Sequence, residues 1–345
     1  MGSNGTCFIH PADLRRRRQR CRPIVERLQG RLKTGPISSC NICGCAARAI
    51  LADQDRYGLA LRTAICLRCG LIYLMDRLSE RDYQDFYLSG SYRALISSFK
   101  GRSQTLALLR GSQARYAERL AKAWQGLITL DRGSRLLDIG GSTGLVAQRF
   151  AAGSDCAVTL LDPAAQEVES VPSAGFERVV GPFEAWQSPH RFDLILLCRT
   201  VEHLFDLRAA LLKIRSLLRP NGLFFCDIAD FLETCRREGP PAVTTKVDHC
   251  FWLCQETAPS VFAHLGFEIL AVDVALPPDQ VGFLLRAAEG GKLAPVPPEW
   301  IQRQLRGFRE LASAWQQVGH TPLDARDWVR VQGSRLKARA LRALR

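Results

Sequence analysis

Leu136-Leu137-Asp138-Ile139-Gly140-Gly141-Ser142-Thr143-Gly144 is an apolar run that closes on an acid and then opens into a glycine-rich turn. Read outward, it is the end of a buried strand, a turn that only small residues allow, and the start of a helix over about 144–152. Glycines at such a turn let a ligand approach the backbone, and the helix N-terminus offers it free N–H groups. About twenty residues on, Thr159-Leu160-Leu161-Asp162-Pro163 ends the next apolar run on a second acid, where a carboxylate can take two ribose hydroxyls.

From Arg135 onward short apolar runs alternate with helical patterns, the signature of βαβ units and a mostly parallel sheet. Strands are expected at 135–139, 157–161, 177–180, 192–198, 222–228, 267–275 and 281–287, and helices at about 144–152, 164–173, 206–218 and 255–265. Only Leu276 to Gln280 separate the last two strands, too few residues for a parallel crossover, so the seventh strand should return antiparallel. A dinucleotide-binding oxidoreductase shares the glycine turn but needs a parallel sixth strand. The arrangement as a whole resembles the class I S-adenosylmethionine-dependent methyltransferases, whose fold is an α/β, seven-stranded Rossmann-like sheet with an antiparallel last strand. In that family the glycine loop wraps the amino-acid part of S-adenosyl-L-methionine and the second acid binds its ribose. The resemblance implies that Asp138, Gly140, Gly141, Ser142 and Gly144 line the cofactor loop, with Ser142 in place of the family's middle glycine. It further implies that Asp162 holds the ribose and that Glu184, in Val180-Gly181-Pro182-Phe183-Glu184, lies beside the adenine.

The chain holds 13 cysteines, an odd number, and their strongest regularity is a pair of knuckles, Cys40-Asn41-Ile42-Cys43-Gly44 and Cys66-Leu67-Arg68-Cys69-Gly70. Two CxxC turns complete a tetrahedral four-thiolate site for zinc, and four thiolates leave no position open for water, so the metal should be structural. Cys45, just past the first knuckle, reads as a spare thiol. With Asp55-Arg56-Tyr57-Gly58 between the knuckles, Cys69-Gly70-Leu71-Ile72-Tyr73 after them and a Tyr-rich helical pattern over 79–92, this zinc ribbon is similar to the N-terminal module of a bacterial methyltransferase subgroup. That subgroup includes the deoxysugar C-methyltransferases and relatives from surface-polysaccharide and natural-product pathways. The resemblance implies that the module covers the acceptor side of the site, within reach of Tyr83, Tyr87 and Tyr92; as plain core and surface aromatics these tyrosines are explained equally well.

Two further segments carry acid–base groups. Cys198-Arg199-Thr200-Val201-Glu202-His203-Leu204 follows the fourth strand, at the sheet end where open α/β folds bind ligands. A long loop after the fifth strand leads to Val247-Asp248-His249-Cys250-Phe251-Trp252. Histidine titrates near neutrality and can take a proton from a hydroxyl or from a carbon beside a carbonyl. The sugar C-methyltransferases carry a Glu-His pair at each place, which implies catalytic roles here for His249, His203, Asp248 and Glu202. Only a short extension follows the last strand where those enzymes have a large domain, so O-methylation of a sugar or small metabolite stays as open as C-methylation.

The net charge of +13 is unevenly spread. Residues 1–39 hold nine Lys/Arg against two acids and residues 301–345 ten against three, so the body is close to neutral. A body without cationic excess argues against nucleic acid and for a small-molecule or sugar-linked substrate. An RNA-modifying methyltransferase that grips with its basic ends, and a non-catalytic cofactor-binding scaffold, are the alternatives. The organisation expected is a basic arm (1–39), the ribbon (40–75), a helical connector over the substrate (76–130), the cofactor-binding domain (131–289) and a basic helical extension (290–345). No apolar stretch approaches the roughly 20 residues of a membrane span, and the Arg15–Arg22 run lacks a signal core, so a cytoplasmic protein is expected. The pattern over 323–344 suits a basic amphipathic helix, packed on the domain or lying at a membrane surface.

Overall fold

The structure, a computed structural model, describes residues 9–33, 37–273 and 279–320. Seven strands form the large sheet: β1 (Arg135–Ile139), β2 (Ala157–Asp162), β3 (Phe176–Val180), β4 (Phe192–Leu197), β5 (Leu218–Ala229), β6 (Phe267–Asp273) and β7 (Gln280–Ala287). Their spatial order is β6-β7-β5-β4-β1-β2-β3. β1 pairs parallel with β2 and β4, β2 with β3, and β4 with β5, whereas β7 runs antiparallel to both β5 and β6. This is the Rossmann-like α/β sheet expected from the sequence, with its antiparallel strand where the short join demands it.

The two-residue period of each strand divides its side chains between two cores. Leu136, Leu194, Leu196 and Phe225 pack with Tyr116, Leu120 and Trp124 of helix Leu106–Ala123. Leu137, Ile139, Ile195, Leu197, Phe224 and Cys226 enter the opposite core. Burial on both faces is why Leu194-Ile195-Leu196-Leu197 reads as an unbroken apolar run rather than an alternating one.

The second core is continuous with the cysteine module, since Ile65, Cys66, Ile72 and Tyr73 belong to the same buried cluster. The module is an antiparallel sheet of Arg48–Ala52, Thr63–Cys66 and Ile72–Leu74, and its fourth strand, Phe251–Trp252, arrives from the chain after β5. The module's sheet therefore takes one strand from far along the chain. The connection after β5 is not the bare loop the sequence suggests: it holds helix Phe231–Glu238 and the short helix Pro241–Thr244. Asp230 caps the first of these by accepting the Glu233 N–H at 3.0 Å.

The basic N-terminal segment also packs on the body of the protein. Pro11–Gln29 is a helix, with Leu14, Cys21 and Leu28 on one buried face, and it packs on helix Ser91–Lys100. Arg18 donates to the carbonyls of Asp55 (2.8 Å) and Arg56 (3.0 Å), and Arg20 to those of Ser98 (3.0 Å) and Phe99 (2.9 Å). These arginines are anchors rather than free charge. The Tyr-rich pattern is two helices, Glu80–Leu88 and Ser91–Lys100, broken at Gly90, whose φ of 71° suits glycine. Helix Pro298–His320 lies against Phe231–Glu238 and Pro11–Gln29, with the Trp315 indole N–H donating to the Ile9 carbonyl at 2.8 Å. The expected helix over 323–344 lies outside the described residues. Among the described residues no helix is long and apolar enough to cross a membrane.

Candidate active site

The loops at the C-terminal ends of β1, β2, β4 and β5 and the Tyr-bearing helices enclose a cavity of about 490 Å³. At its floor the loop after β1 turns through Gly140 (φ 70°) and Gly144 (φ 71°). A Cβ at Gly140 would sit 2.4 Å from Thr200 Oγ1, and one at Gly141 2.3 Å from Leu160 Cδ1, so neither place admits a side chain. Ser142 adopts the left-handed region as a non-glycine (φ 50°) because two bonds hold it there. Its N–H donates to Asp162 Oδ2 at 2.9 Å, and its hydroxyl donates to Glu167, which also pairs with Arg93. The serine that departs from a glycine pattern is thus accommodated by a buried acid, Glu167, five residues after Asp162.

Asp162 accepts the N–H of Ala164 at 2.7 Å as well, so its carboxylate joins the β1 loop to the turn after β2 while it lines the cavity. Burial raises its pKa to about 6. Asp138 differs from it: it is fully buried and neither carboxylate oxygen has a hydrogen-bond partner. Burial, and then the neighbouring Asp162, push the Asp138 pKa up to about 7. An unsatisfied buried acceptor costs about 1–3 kcal/mol, so the site favours a ligand that brings N–H or O–H donors. Glu184 lines the same cavity and accepts the Phe205 N–H at 2.8 Å.

At the other end stand the two histidines. His203 closes the single 3-10 turn Val201–His203 after β4, and its Nδ1 lies 2.9 Å from the Asp248 carbonyl oxygen. A carbonyl only accepts, so Nδ1 carries the proton and Nε2 keeps its lone pair. The Tyr87 hydroxyl sits 2.8 Å from the same Nδ1, and the Tyr83 hydroxyl reaches the carbonyls of His203 (2.9 Å) and Asp248 (2.8 Å). His249 meets His203 edge-on, with ring centroids 4.5 Å apart. Lys246 Nζ lies 3.4 Å from His249 Nε2 in hydrogen-bond geometry and Asp248 Oδ2 3.5 Å from the same atom; with the ammonium as the donor to Nε2, the His249 proton is placed on Nδ1. That Nδ1 is buried without a partner, and so is Asp248 Oδ1. Burial lowers the pKa of both histidines, that of His249 well below the ordinary value with Lys246 adding to the effect. Glu202 is buried, accepts the Ala229 N–H at 2.7 Å and is raised to about 7 by burial, so it ties the His203 turn to the end of β5.

His203, Asp248 and His249 bring their ligand atoms within 4.8 Å of one another, as a metal triad would. The ammonium of Lys246 against His249 and the engaged Nδ1 of His203 suit an organic ligand better than a cation. The four cysteines are a different case. Cys40, Cys43, Cys66 and Cys69 also converge within 4.8 Å, with sulfurs 3.5 Å apart in the pairs Cys40–Cys69 and Cys43–Cys66. A tetrahedron with metal–sulfur bonds of about 2.3 Å has edges of roughly 3.8 Å, close to these separations. Gly44 and Gly70 take left-handed φ values and donate back to the Cys40 and Cys66 carbonyls, which forms the two knuckles. Hydrogen bonds from Cys40 and Cys69 hold the Cys66 thiol far below the usual range, and the same crowding pushes Cys40 and Cys69 up. Four thiolates cannot coexist there without a cation, so the donor set fits zinc. Cys45 stays outside the cluster.

The cysteine module also holds the histidine loop. Asp55, fully buried, accepts the N–H groups of Tyr57 (2.9 Å), Leu59 (3.0 Å) and Val247 (3.0 Å). Arg56 donates from its backbone to the Thr245 carbonyl (2.9 Å) and from Nε to the Val243 carbonyl (3.1 Å), and it pairs with Glu238. Strand Phe251–Trp252 then adds to Ile72–Leu74. Residues 243–252 are therefore held from the module on one side and, through the Cys250 N–H to the Glu202 carbonyl (2.8 Å), from the turn after β4 on the other.

Residues 109–272 match a family model described as a methyltransferase domain. The matched segment, just under half of the chain, resembles a methyltransferase domain. The match begins in helix Leu106–Ala123 and ends in β6, and the two cysteine knuckles lie outside it. Solved structures with a similar fold include an S-adenosylmethionine-dependent methyltransferase from Mesorhizobium loti (16% identity over 48% of this chain and 96% of that one, TM-score 0.40). Others are the CcbJ methyltransferase from Streptomyces caelestis (14% identity, 51% and 95% covered, TM-score 0.40) and the glycopeptide N-methyltransferase MtfA complexed with sinefungin (15% identity, 51% and 87% covered, TM-score 0.39). No curated protein matches the chain.

The cavity includes residues that the sequence does not single out. Glu167 and Tyr116 lie on helices where an acid and an aromatic are ordinary, yet Glu167 takes the Ser142 hydroxyl and Tyr116 donates to Asp227 at 2.7 Å. Lys246 sits in a mixed polar stretch without period. Only its adjacency to Val247-Asp248-His249 marks it in the sequence.

Proposed function

We propose that the chain transfers a methyl group from S-adenosylmethionine to a small-molecule or sugar-linked acceptor, with His203 as the base. The observation that carries this reading is the meeting in one cavity of the orphaned Asp138 carboxyl and a histidine whose Nδ1–H is spent on a backbone carbonyl. The cofactor's ammonium and ribose hydroxyls are the donors that Asp138 and Asp162 lack, Gly140, Gly141, Ser142 and Gly144 leave the backbone open to it, and Glu184 belongs to the adenine side. When bound, it supplies an electrophilic methyl on a sulfonium sulfur. His203 Nε2 takes the acceptor's proton while the acceptor's electron pair forms the bond to the methyl carbon and the carbon–sulfur pair stays on sulfur. Asp248 Oδ1 and His249 Nδ1–H orient the acceptor, and Glu202 positions the turn that carries His203. Cys40, Cys43, Cys66 and Cys69 hold a structural zinc whose ribbon supports that acceptor loop. Arg18 and Arg20, spent on carbonyls, take from the RNA-modifying alternative much of its basic N-terminal grip. Surface-polysaccharide or natural-product assembly is the setting this reading suggests.

The roles of the two histidines separate in kinetics. His203→Ala is expected to lower kcat about a hundredfold to ten-thousandfold, and His249→Ala to act mainly through KM. Since burial favours the neutral imidazole of His203, its protonation should lower kcat at saturating cofactor only in acid, below about 6.5. A kcat unaffected by His203→Ala, or a limb centred above pH 7, would contradict the assignment.

A further inference from the structure

Lys246 and Lys100 both line the cavity, and neither forms an ion pair among the described residues. The hydrogen-bond partner of Lys246 is the neutral His249 Nε2 at 3.4 Å, and that of Lys100 is the Gln104 side-chain oxygen at 3.0 Å. The charges that act on Lys100 are all cations, Lys246, Arg102, Arg93 and Arg56, and together with burial they lower its pKa. Lys246 feels Arg56 in the same sense, while the carboxylates of Asp248, Glu238 and Glu202 oppose this from beyond ion-pair contact. Arg56 and Arg93 are already neutralised by Glu238 and Glu167. Lys246 is half-buried and Lys100 exposed, and an anion at this wall would relieve the like charge that acts on both. Beside them stand two buried atoms in need of partners, Asp248 Oδ1, which can only accept, and His249 Nδ1–H, which donates.

Resting on the methyl-transfer reading, we propose that the acceptor is a small anion: a molecule whose carboxylate or phosphate lies between Lys246 and Lys100 and whose neighbouring hydroxyl or amine engages Asp248 and His249. Lys246 touches His249, so the anchor for the charge and the ligands for the neighbouring group are contiguous on one wall. A neutral acceptor would leave the Lys246 ammonium without an ion-pair partner in the cavity.

The test is calorimetry on the full chain, with and without S-adenosylhomocysteine, using inorganic pyrophosphate, malonate and neutral glycerol as probes. At least one of the two anions should bind with a Kd below about 1 mM, and which one does separates phosphate from carboxylate. Lys246→Met and Lys100→Met should each weaken that binding about tenfold or more, and Lys246→Gln should do the same while S-adenosylhomocysteine binds each variant as it binds the parent. Binding of neither anion, or binding unchanged in the variants, would overturn the proposal. Failure of S-adenosylhomocysteine to bind the parent chain would instead overturn the methyl-transfer reading, and the anion titrations without it report separately.

Discussion

Cys66→Ser is expected to abolish acceptor turnover and to lower the thermal midpoint by roughly 10 °C or more. Cys66 is fully buried, shares the cluster with Cys40, Cys43 and Cys69, and lies at the end of a strand whose neighbour Ile72–Leu74 carries Phe251–Trp252. Structural zinc contributes about 10 kcal/mol or more to the folding of isolated fingers, and a four-thiolate site that loses one ligand keeps little of it. Once the module loosens, Asp55 no longer holds Val247 and Tyr73 no longer pairs with Phe251, so Asp248 and His249 lose their supports. The glycine loop belongs to the large sheet, and S-adenosylhomocysteine binding should therefore fall much less than turnover. Metal analysis should find one zinc per chain in the parent and less in the variant. Full turnover in a zinc-free variant would show that the module does not position the acceptor loop.

Gly141→Ala should eliminate cofactor binding, lowering affinity by about a hundredfold or more, with a stability loss of about 1–3 kcal/mol from overpacking. The added methyl would lie 2.3 Å from Leu160 Cδ1 and 2.6 Å from the Asp138 carboxyl. Both neighbours sit in the packed floor of the site, with Leu160 and Asp138 fully buried, so neither can withdraw without moving a strand. Either the loop lifts into the space a ligand needs or Asp138 turns away from it. Calorimetry and thermal melting check the two effects, and parent-like affinity in Gly141→Ala would contradict the geometry of the loop.

How much of this was legible in the sequence depends on what kind of signal each element leaves. The large sheet was legible because its strands are apolar runs buried on both faces, and because Leu276 to Gln280 is too short for any crossover but a hairpin. The knuckles were legible because metal ligation demands fixed spacing. The acceptor side was legible only in part. Phe251 and Trp252 read as part of a segment after β5, but nothing local says that their strand pairs with Ile72 and Tyr73 nearly two hundred residues earlier in the chain. Long-range pairing leaves no periodic trace when a strand is two residues long. The anchoring of Arg18 and Arg20 leaves no trace for a related reason: arginine looks the same in sequence whether it faces water or donates to the carbonyls of Asp55 and Phe99. The proton positions on His203 and His249 follow from a carbonyl and an ammonium that only the fold brings to them.

The central claim is that the glycine loop, Asp138 and Asp162 form an S-adenosylmethionine site, and titration calorimetry with S-adenosylhomocysteine tests it most directly. The parent chain should bind it with a Kd in the micromolar range and should not bind NAD. Asp162→Ala should weaken the binding about a hundredfold, the loss of two hydrogen bonds to a carboxylate at roughly 1.5–3 kcal/mol each. Binding of NAD in its place, or S-adenosylhomocysteine affinity that Asp162→Ala leaves untouched, would contradict the account.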